Sequence, residues 1–141
     1  MMVAGGTVGE ATAQEALGVL SSDPRAQVVD VRTRPEWMFV GIPALPGGKE
    51  PILLEWQVFP AMGVNIDFGQ ELAAICGDQD APIFFLCRSG VRSHAAAQRM
   101  IELGYTKCVN IVDGFEGPVD SDGHRGNVAG WKASGCPWRQ S

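Results

Sequence analysis

The 141-residue chain has no run of lysine or arginine, and acidic residues outnumber basic ones: 16 Asp+Glu against 11 Lys+Arg, a net charge of −5. Nucleic acid as a partner calls for a basic face, so none is expected. No apolar stretch reaches the roughly 18 residues of a membrane span, so no membrane partner is expected. The first basic residue is Arg25. A secretory leader, which pairs a positive start with an apolar run, is therefore not expected, and the cytoplasm is the expected setting. Histidine is scarce, at His94 and His124, and Cys76, Cys87, Cys108 and Cys136 form no C-x-x-C pair. Zinc-type spacing is missing, so no metal is expected. Four cysteines are also sparse for a disulfide framework.

What is present suits one globular domain over residues 1–141. Apolar residues are 45% and charged residues 19%, and a chain of this length buries roughly two thirds of its unfolded surface. Thr12 with Glu15 three residues on reads as a capping box, opening a helix with Ala16, Leu17 and Leu20 on its apolar face; Asp23-Pro24 ends it. Gln27–Val31 reads as a buried strand, and Pro51–Gln57 as a second. Asp67 with Gln70 marks another helix start, with Leu72, Ile75 and Cys76 sharing a face. Ala81–Leu86 is apolar on both faces, as in the middle of a covered sheet. A helix from about Arg92 to Leu103 follows, with Gly104 as its left-handed stop, and then a strand over Lys107–Val112. Asp113–Gly130 is Gly-rich with little periodicity, and Trp131 onward has room for one terminal helical turn. Alternating strands and helices predict an α/β domain with a mostly parallel sheet.

One segment stands where such sheets bind ligands, at the carboxyl end of a strand. Cys87-Arg88-Ser89-Gly90-Val91-Arg92-Ser93 begins as the apolar strand ends and finishes as a helix begins. The first turn of a helix offers unpaired N–H groups and a positive dipole end. A short loop over that end adds inward N–H groups, making an anion nest. Gly90 permits the tight curl, and Arg88 and Arg92 add two positive charges. A cysteine at the floor of this cup is expected to ionise below the free value of about 8.5 and to act as a nucleophile without a histidine base. The alternative is a buried structural cysteine followed by a basic helical turn; two arginines and a glycine in one short loop favour the functional reading.

The run CRSGVRS, followed by Ala95-Ala96-Ala97, Leu103-Gly104-Tyr105 and Asn110, resembles the active-site region of the rhodanese-like sulfurtransferase family. Asp30-Val31-Arg32, Glu36-Trp37 and Gly41-Ile42-Pro43 upstream, and Gly130-Trp131 and Gly135-Cys136-Pro137 downstream, resemble other family segments in the right order. The resemblance implies a core over about 10–138, with a five-stranded parallel sheet covered by helices on both faces. It implies a sulfurtransferase whose Cys87 carries a persulfide, with Arg88, Ser89, Gly90, Val91, Arg92 and Ser93 holding the substrate and no cofactor. The expected partners are a small anionic sulfur donor such as thiosulfate, a thiol or cyanide acceptor, or a persulfide-donating protein. An alternative within the resemblance is a relay module passing persulfide between proteins. Phosphatase or arsenate-reductase chemistry ranks lower: four residues separate Cys87 from Arg92, and the family's oxyanion-processing relatives have a loop one residue longer.

Other residues carry weaker expectations. Asp30 and Arg32 are possible supports for the loop, with a purely structural Asp30 the favoured reading; Arg32 and Glu36, four apart, read as an ion pair of their own. His94 is expected to face solvent. Cys76 and Cys108 read as core filler, and Cys136 as an exposed tail residue of structural role. Two departures from the family pattern stand out. No histidine follows Gly41-Ile42, and an insert over about 115–129 precedes Trp131. The insert is expected either to rim the Cys87 loop as a lid or to be an inert surface loop.

Overall fold

The computed structural model describes residues 7–140. Nine strands run in chain order: β1 (Gly9–Ala11), β2 (Gln27–Asp30), β3 (Ile42–Pro43), β4 (Ile52–Leu53), β5 (Gln57–Val58), β6 (Gly63–Val64), β7 (Ile83–Leu86), β8 (Cys108–Ile111) and β9 (Trp138–Arg139). Four α-helices join them: α1 (Ala13–Ser22), α2 (Arg34–Phe39), α3 (Phe68–Ile75) and α4 (Val91–Glu102). The main sheet has five strands in the order β1-β8-β7-β2-β4, and every pairing is parallel. The apolar strand β7 is its middle strand, where both faces are covered.

Alternation along the strands sends side chains to two cores. Val29, Phe85 and Cys108 face α3 and α4 and meet Phe68, Leu72, Ala96 and Met100. Val28, Phe84, Leu86 and Ile111 face the other way and meet Ala13, Ala16, Leu20, Phe115 and Trp131. Helices on both faces of a parallel sheet are the expected α/β architecture. The Thr12–Glu15 capping box forms as read, with the Glu15 N–H donating to Thr12 Oγ1 and the Thr12 N–H to Glu15 Oε1.

Several sequence expectations need correction. Pro51–Gln57 is not one strand: β4 belongs to the main sheet, while β5 pairs antiparallel with β6 in a separate hairpin. Ile75 leaves the face of Leu72 and Cys76 and is 55% exposed. The tail from Trp131 makes turns and then β9, which pairs antiparallel with β3. Its Cys136 is buried, packed with Trp131 in the α1-side core, and not exposed as expected.

Candidate active site

The sheet delivers Cys87 to the carboxyl end of its middle strand, and α4 starts four residues later. Between them Gly90 caps the helix at φ +105°, a left-handed conformation that L side chains rarely adopt. Space forbids a side chain there as well, because a Cβ would stand 2.5 Å from the Val112 carbonyl oxygen.

The loop is braced from behind. The Phe115 N–H donates to the Cys87 carbonyl at 2.8 Å, and the Glu116 and Gly117 N–H groups donate to the Arg88 carbonyl at 3.0 and 3.1 Å. Gly114, at φ +67°, packs its bare Cα against the Arg88 carbonyl, where any Cβ would collide. With these carbonyls tied outward, the Gly90 N–H turns inward and donates to Cys87 Sγ at 3.1 Å.

Behind the sulfur lies a polar chain. Ser93 Oγ is 3.2 Å from Cys87 Sγ and donates to Asn110 Oδ1 at 2.5 Å. Asn110 Nδ2 donates to the Gly90 carbonyl at 2.9 Å. Asn110 thereby fixes both the loop glycine and the serine next to the sulfur. Ser93 is fully buried, so it faces Cys87 from below.

Cys87 itself is 1% exposed and forms the floor of a cleft of about 410 Å³ lined by Glu36, Gln57, Met62, Arg88, Ser89, Val91 and Arg92. Arg88 is exposed and makes no ion pair among the described residues. Arg92 is held by Glu36 through two hydrogen bonds of 2.7 and 3.0 Å. The expected Arg32–Glu36 pair does not form. Glu36 reaches Arg92 and also accepts from the Thr33 hydroxyl at 2.9 Å and the Thr33 N–H at 3.1 Å, at the start of α2. Burial pushes its carboxyl up, but Arg92 and Thr33 together outweigh that and hold it down to about 2.

Arg32 turns back on Asp30. Its Nε and Nη2 meet the two carboxylate oxygens at 2.9 and 2.7 Å, and Nη2 also donates to the Gly41 carbonyl at 2.6 Å. Both side chains are fully buried, and the guanidinium lies 4.2 Å over the Phe115 ring. Neither lines the cleft. Asp30 is paired in register with Leu86, the residue before Cys87, so the ion pair lies beside the root of the loop.

The remaining cysteines lie elsewhere. Burial pushes Cys76 up to about 11 and Cys108 up to about 12, and it raises Cys136 as well. All four cysteines are free, and His94 faces solvent. The 115–129 segment contributes no cleft-lining residue. Its first residues brace the loop instead, and the β5–β6 hairpin supplies the rim through Gln57 and Met62. No group of three or more His, Cys, Asp or Glu side chains fit to hold a metal occurs among the described residues, and no helix among them is long and apolar enough to cross a membrane.

Sequence reasoning assigned Glu36 to the wrong arginine and gave no role to Gln57, Met62 or the Asn110 side chain. Asn110 did leave a signal, as a lone polar residue inside the apolar strand Cys108-Val109-Asn110-Ile111.

The description of the rhodanese-like domain family matches residues 12–119. This chain belongs to the rhodanese-like family. Among solved structures, Rv0390 from M. tuberculosis is 44% identical, with a TM-score of 0.86 over 95% of this chain and 98% of that one. Two more distant structures share the fold at 18% identity. One is a homodimeric polysulfide-sulfur transferase from Wolinella succinogenes, with a TM-score of 0.62 over 95% of this chain and 80% of that one. The other is a possible tyrosine phosphatase from Rhodopseudomonas palustris, with a TM-score of 0.58 over 94% and 85%. Within the rhodanese-like frame, the Cys87 loop stands at the carboxyl end of β7, the edge at which open α/β sheets commonly bind ligands.

Proposed function

We propose that this rhodanese-like protein is a sulfurtransferase that carries a sulfane sulfur on Cys87, taking it from thiosulfate or a persulfide donor and passing it to a thiophilic acceptor. The observation that carries this reading is the setting of Cys87 Sγ: it receives the Gly90 N–H at the amino end of α4 and opens into a cleft beside the unpaired Arg88. A negative sulfur belongs in such a place in both half-reactions.

With thiosulfate as donor, the Cys87 thiolate attacks the outer sulfur. The S–S bond of thiosulfate breaks, and sulfite leaves with its electron pair. Cys87 is left as S–S⁻. An acceptor such as cyanide or a thiolate then attacks the outer sulfur, and the Cys87 thiolate is regenerated as leaving group. This is double displacement through a covalent intermediate. Arg88, and Arg92 so far as Glu36 leaves it free, orient the anionic donor. Ser89, Gly90 and Val91 contribute backbone and wall, and Ser93 supports the sulfur from below. The chemistry needs no cofactor, and a cytoplasmic setting suits free thiols.

Intact mass after thiosulfate treatment tests this. The expected result is a gain of one sulfur atom on Cys87, lost in Cys87→Ser together with sulfite release. Equal loading of Cys76, Cys108 or Cys136 overturns the assignment, as does turnover of phosphate esters without sulfur uptake.

A further inference from the structure

The surface beside the cleft is more apolar than an acidic protein needs. Helix α2 buries none of its own residues. Its Met38 and Phe39 are 53% and 73% exposed, and Val58, Phe59 and Met62 of the β5–β6 hairpin are 42%, 53% and 37% exposed. Met38, Phe39, Val58 and Phe59 share a hollow of about 270 Å³ with Arg34, Pro35 and Glu55. The hairpin joins this hollow to the cleft of Cys87, since Gln57 and Met62 line the one while Val58 and Phe59 line the other. Exposed Met and Phe gathered in one place mark a protein contact surface.

Charge selects the occupant. A free dianion is best held by two cations, but Glu36 has taken Arg92, leaving Arg88 as the one unpaired cation among the cleft-lining residues described. Arg34, at the edge of the hollow, is exposed and has no ion-pair partner among the described residues. Glu55, whose Oε2 accepts the Arg34 backbone N–H at 3.0 Å, is the one carboxylate lining the hollow. Hollow and cleft together thus present apolar side chains, two unpaired arginines and the single carboxylate of Glu55 outside the Glu36–Arg92 pair, on a chain whose net charge is −5. They complement an apolar segment flanked by carboxylates. The sulfur lies at the floor, so the partner's reacting atom must descend to it, as a cysteine on a protruding loop does.

We propose that the face made by α2 and the β5–β6 hairpin docks a protein acceptor that presents a cysteine on an apolar, acidic loop. This rests on the sulfurtransferase reading above and names its acceptor class. The acceptor thiol loses its proton to solvent, and the thiolate attacks the outer sulfur of the Cys87 persulfide. The Cys87 S–S bond breaks, its electron pair stays on Cys87 Sγ, and a new S–S bond forms on the acceptor cysteine. No oxidant is consumed.

The test is single-turnover discharge. Cys87 is loaded with excess thiosulfate or polysulfide, desalted, and mixed with one of two synthetic peptides of equal length, each with a central cysteine. One is flanked by Leu, Phe and Asp, the other by Ser and Lys; mass spectrometry follows the sulfur from protein to peptide. The apolar acidic peptide is expected to discharge the protein about tenfold faster, the equivalent of roughly 1.4 kcal/mol. The paired substitution Phe39→Ser and Phe59→Ser is expected to bring the two peptides within about twofold while discharge to cyanide is unchanged. Equal rates on the unsubstituted protein overturn the proposal without any variant, and so does a preference that survives the paired substitution. Sedimentation that shows a dimer lost in the paired variant assigns the face to a second copy of this chain and also overturns it. Failure to load Cys87 at all refutes the sulfurtransferase reading instead.

Discussion

Glu36 and Arg92 stand 56 positions apart in the chain and meet over the cleft of Cys87 through two hydrogen bonds, Nη1 to Oε1 at 2.7 Å and Nη2 to Oε2 at 3.0 Å. The pair ties helix α2 to the first turn of α4. It also decides how much positive charge the cleft offers, because one of its two arginines is neutralised.

Glu36→Gln separates these two effects. Glutamine keeps an oxygen for the Thr33 cap and for Arg92 but removes the negative charge. The affinity for thiosulfate is expected to rise, with KM falling about tenfold, or roughly 1.4 kcal/mol. Steady-state kinetics at low salt measure this. An unchanged KM means Arg92 takes no part in donor binding.

The same carboxyl predicts an acid dependence of stability. Its value of about 2 in the fold lies below its ordinary 4.5, so the unfolded chain binds the proton more readily. The contribution is complete above pH 4.5 and is lost as pH falls through about 2. Solvent screening of this partly exposed pair leaves it at about 1–3 kcal/mol. Denaturant melts between pH 6 and 2 are expected to show a shallower loss in Glu36→Gln than in the parent; parallel curves refute the assignment.

Ser93→Ala removes the hydroxyl between Cys87 Sγ and Asn110 Oδ1. The buried amide oxygen loses its donor, at a cost of about 1–3 kcal/mol, and persulfide loading is expected to slow about tenfold. Rapid-quench mass measurement reads the loading. Unchanged loading with lowered stability makes Ser93 purely structural.

Arg32→Met leaves the Asp30 carboxylate buried without its partner. Removing one member of a buried ion pair costs about 3–5 kcal/mol, so a large fall in Tm is expected. Since neither residue lines the cleft, the fraction that stays folded is expected to load Cys87. Asp30 and Arg32 act on the substrate only if loading fails in protein shown to be folded.

Gly114→Ala places a methyl group against the Arg88 carbonyl in a left-handed conformation. The brace from Phe115, Glu116 and Gly117 shifts, and the inward Gly90 N–H shifts with it. Stability is expected to fall by about 1–3 kcal/mol, with slower loading than in Gly123→Ala, where nothing lies within 4 Å of the added carbon. Equal loading in the two variants means that residues 113–117 do not position the loop.

How much of this was legible depends on sequence distance. The Cys87 loop is contiguous, and its place between a strand end and a helix start with Gly90 at the turn follows from local pattern. The apolar β7 announces a covered central strand for the same reason. The Thr33–Glu36 cap went unread although it has the same spacing as Thr12–Glu15, and the partner of Glu36 was misassigned because nothing local selects Arg92 over Arg32. Arg32 instead folds back two residues onto Asp30, where a fully buried carboxylate demands a cation. The short strand β1 and the split of Pro51–Gln57 were hidden because two- and three-residue strands have no periodicity to read. The 115–129 segment looked like a rim because it follows a strand near the loop; instead Gly114, just before it, packs against the Arg88 carbonyl, and the first N–H groups of the segment donate to the loop's carbonyls.

Residues adjacent in the chain or repeated along one element were enough for the α/β class, for the place of Cys87 between a strand end and a helix start, and for the core role of Cys76 and Cys108. Tertiary structure alone decided which arginine Glu36 neutralises, that Asn110 and Ser93 stand behind the sulfur, that Cys136 is buried, and that an apolar hairpin rather than the Gly-rich insert borders the cleft. Those facts depend on which distant side chains the packed sheet brings within a few ångströms, where burial makes an unpaired charge or polar group costly.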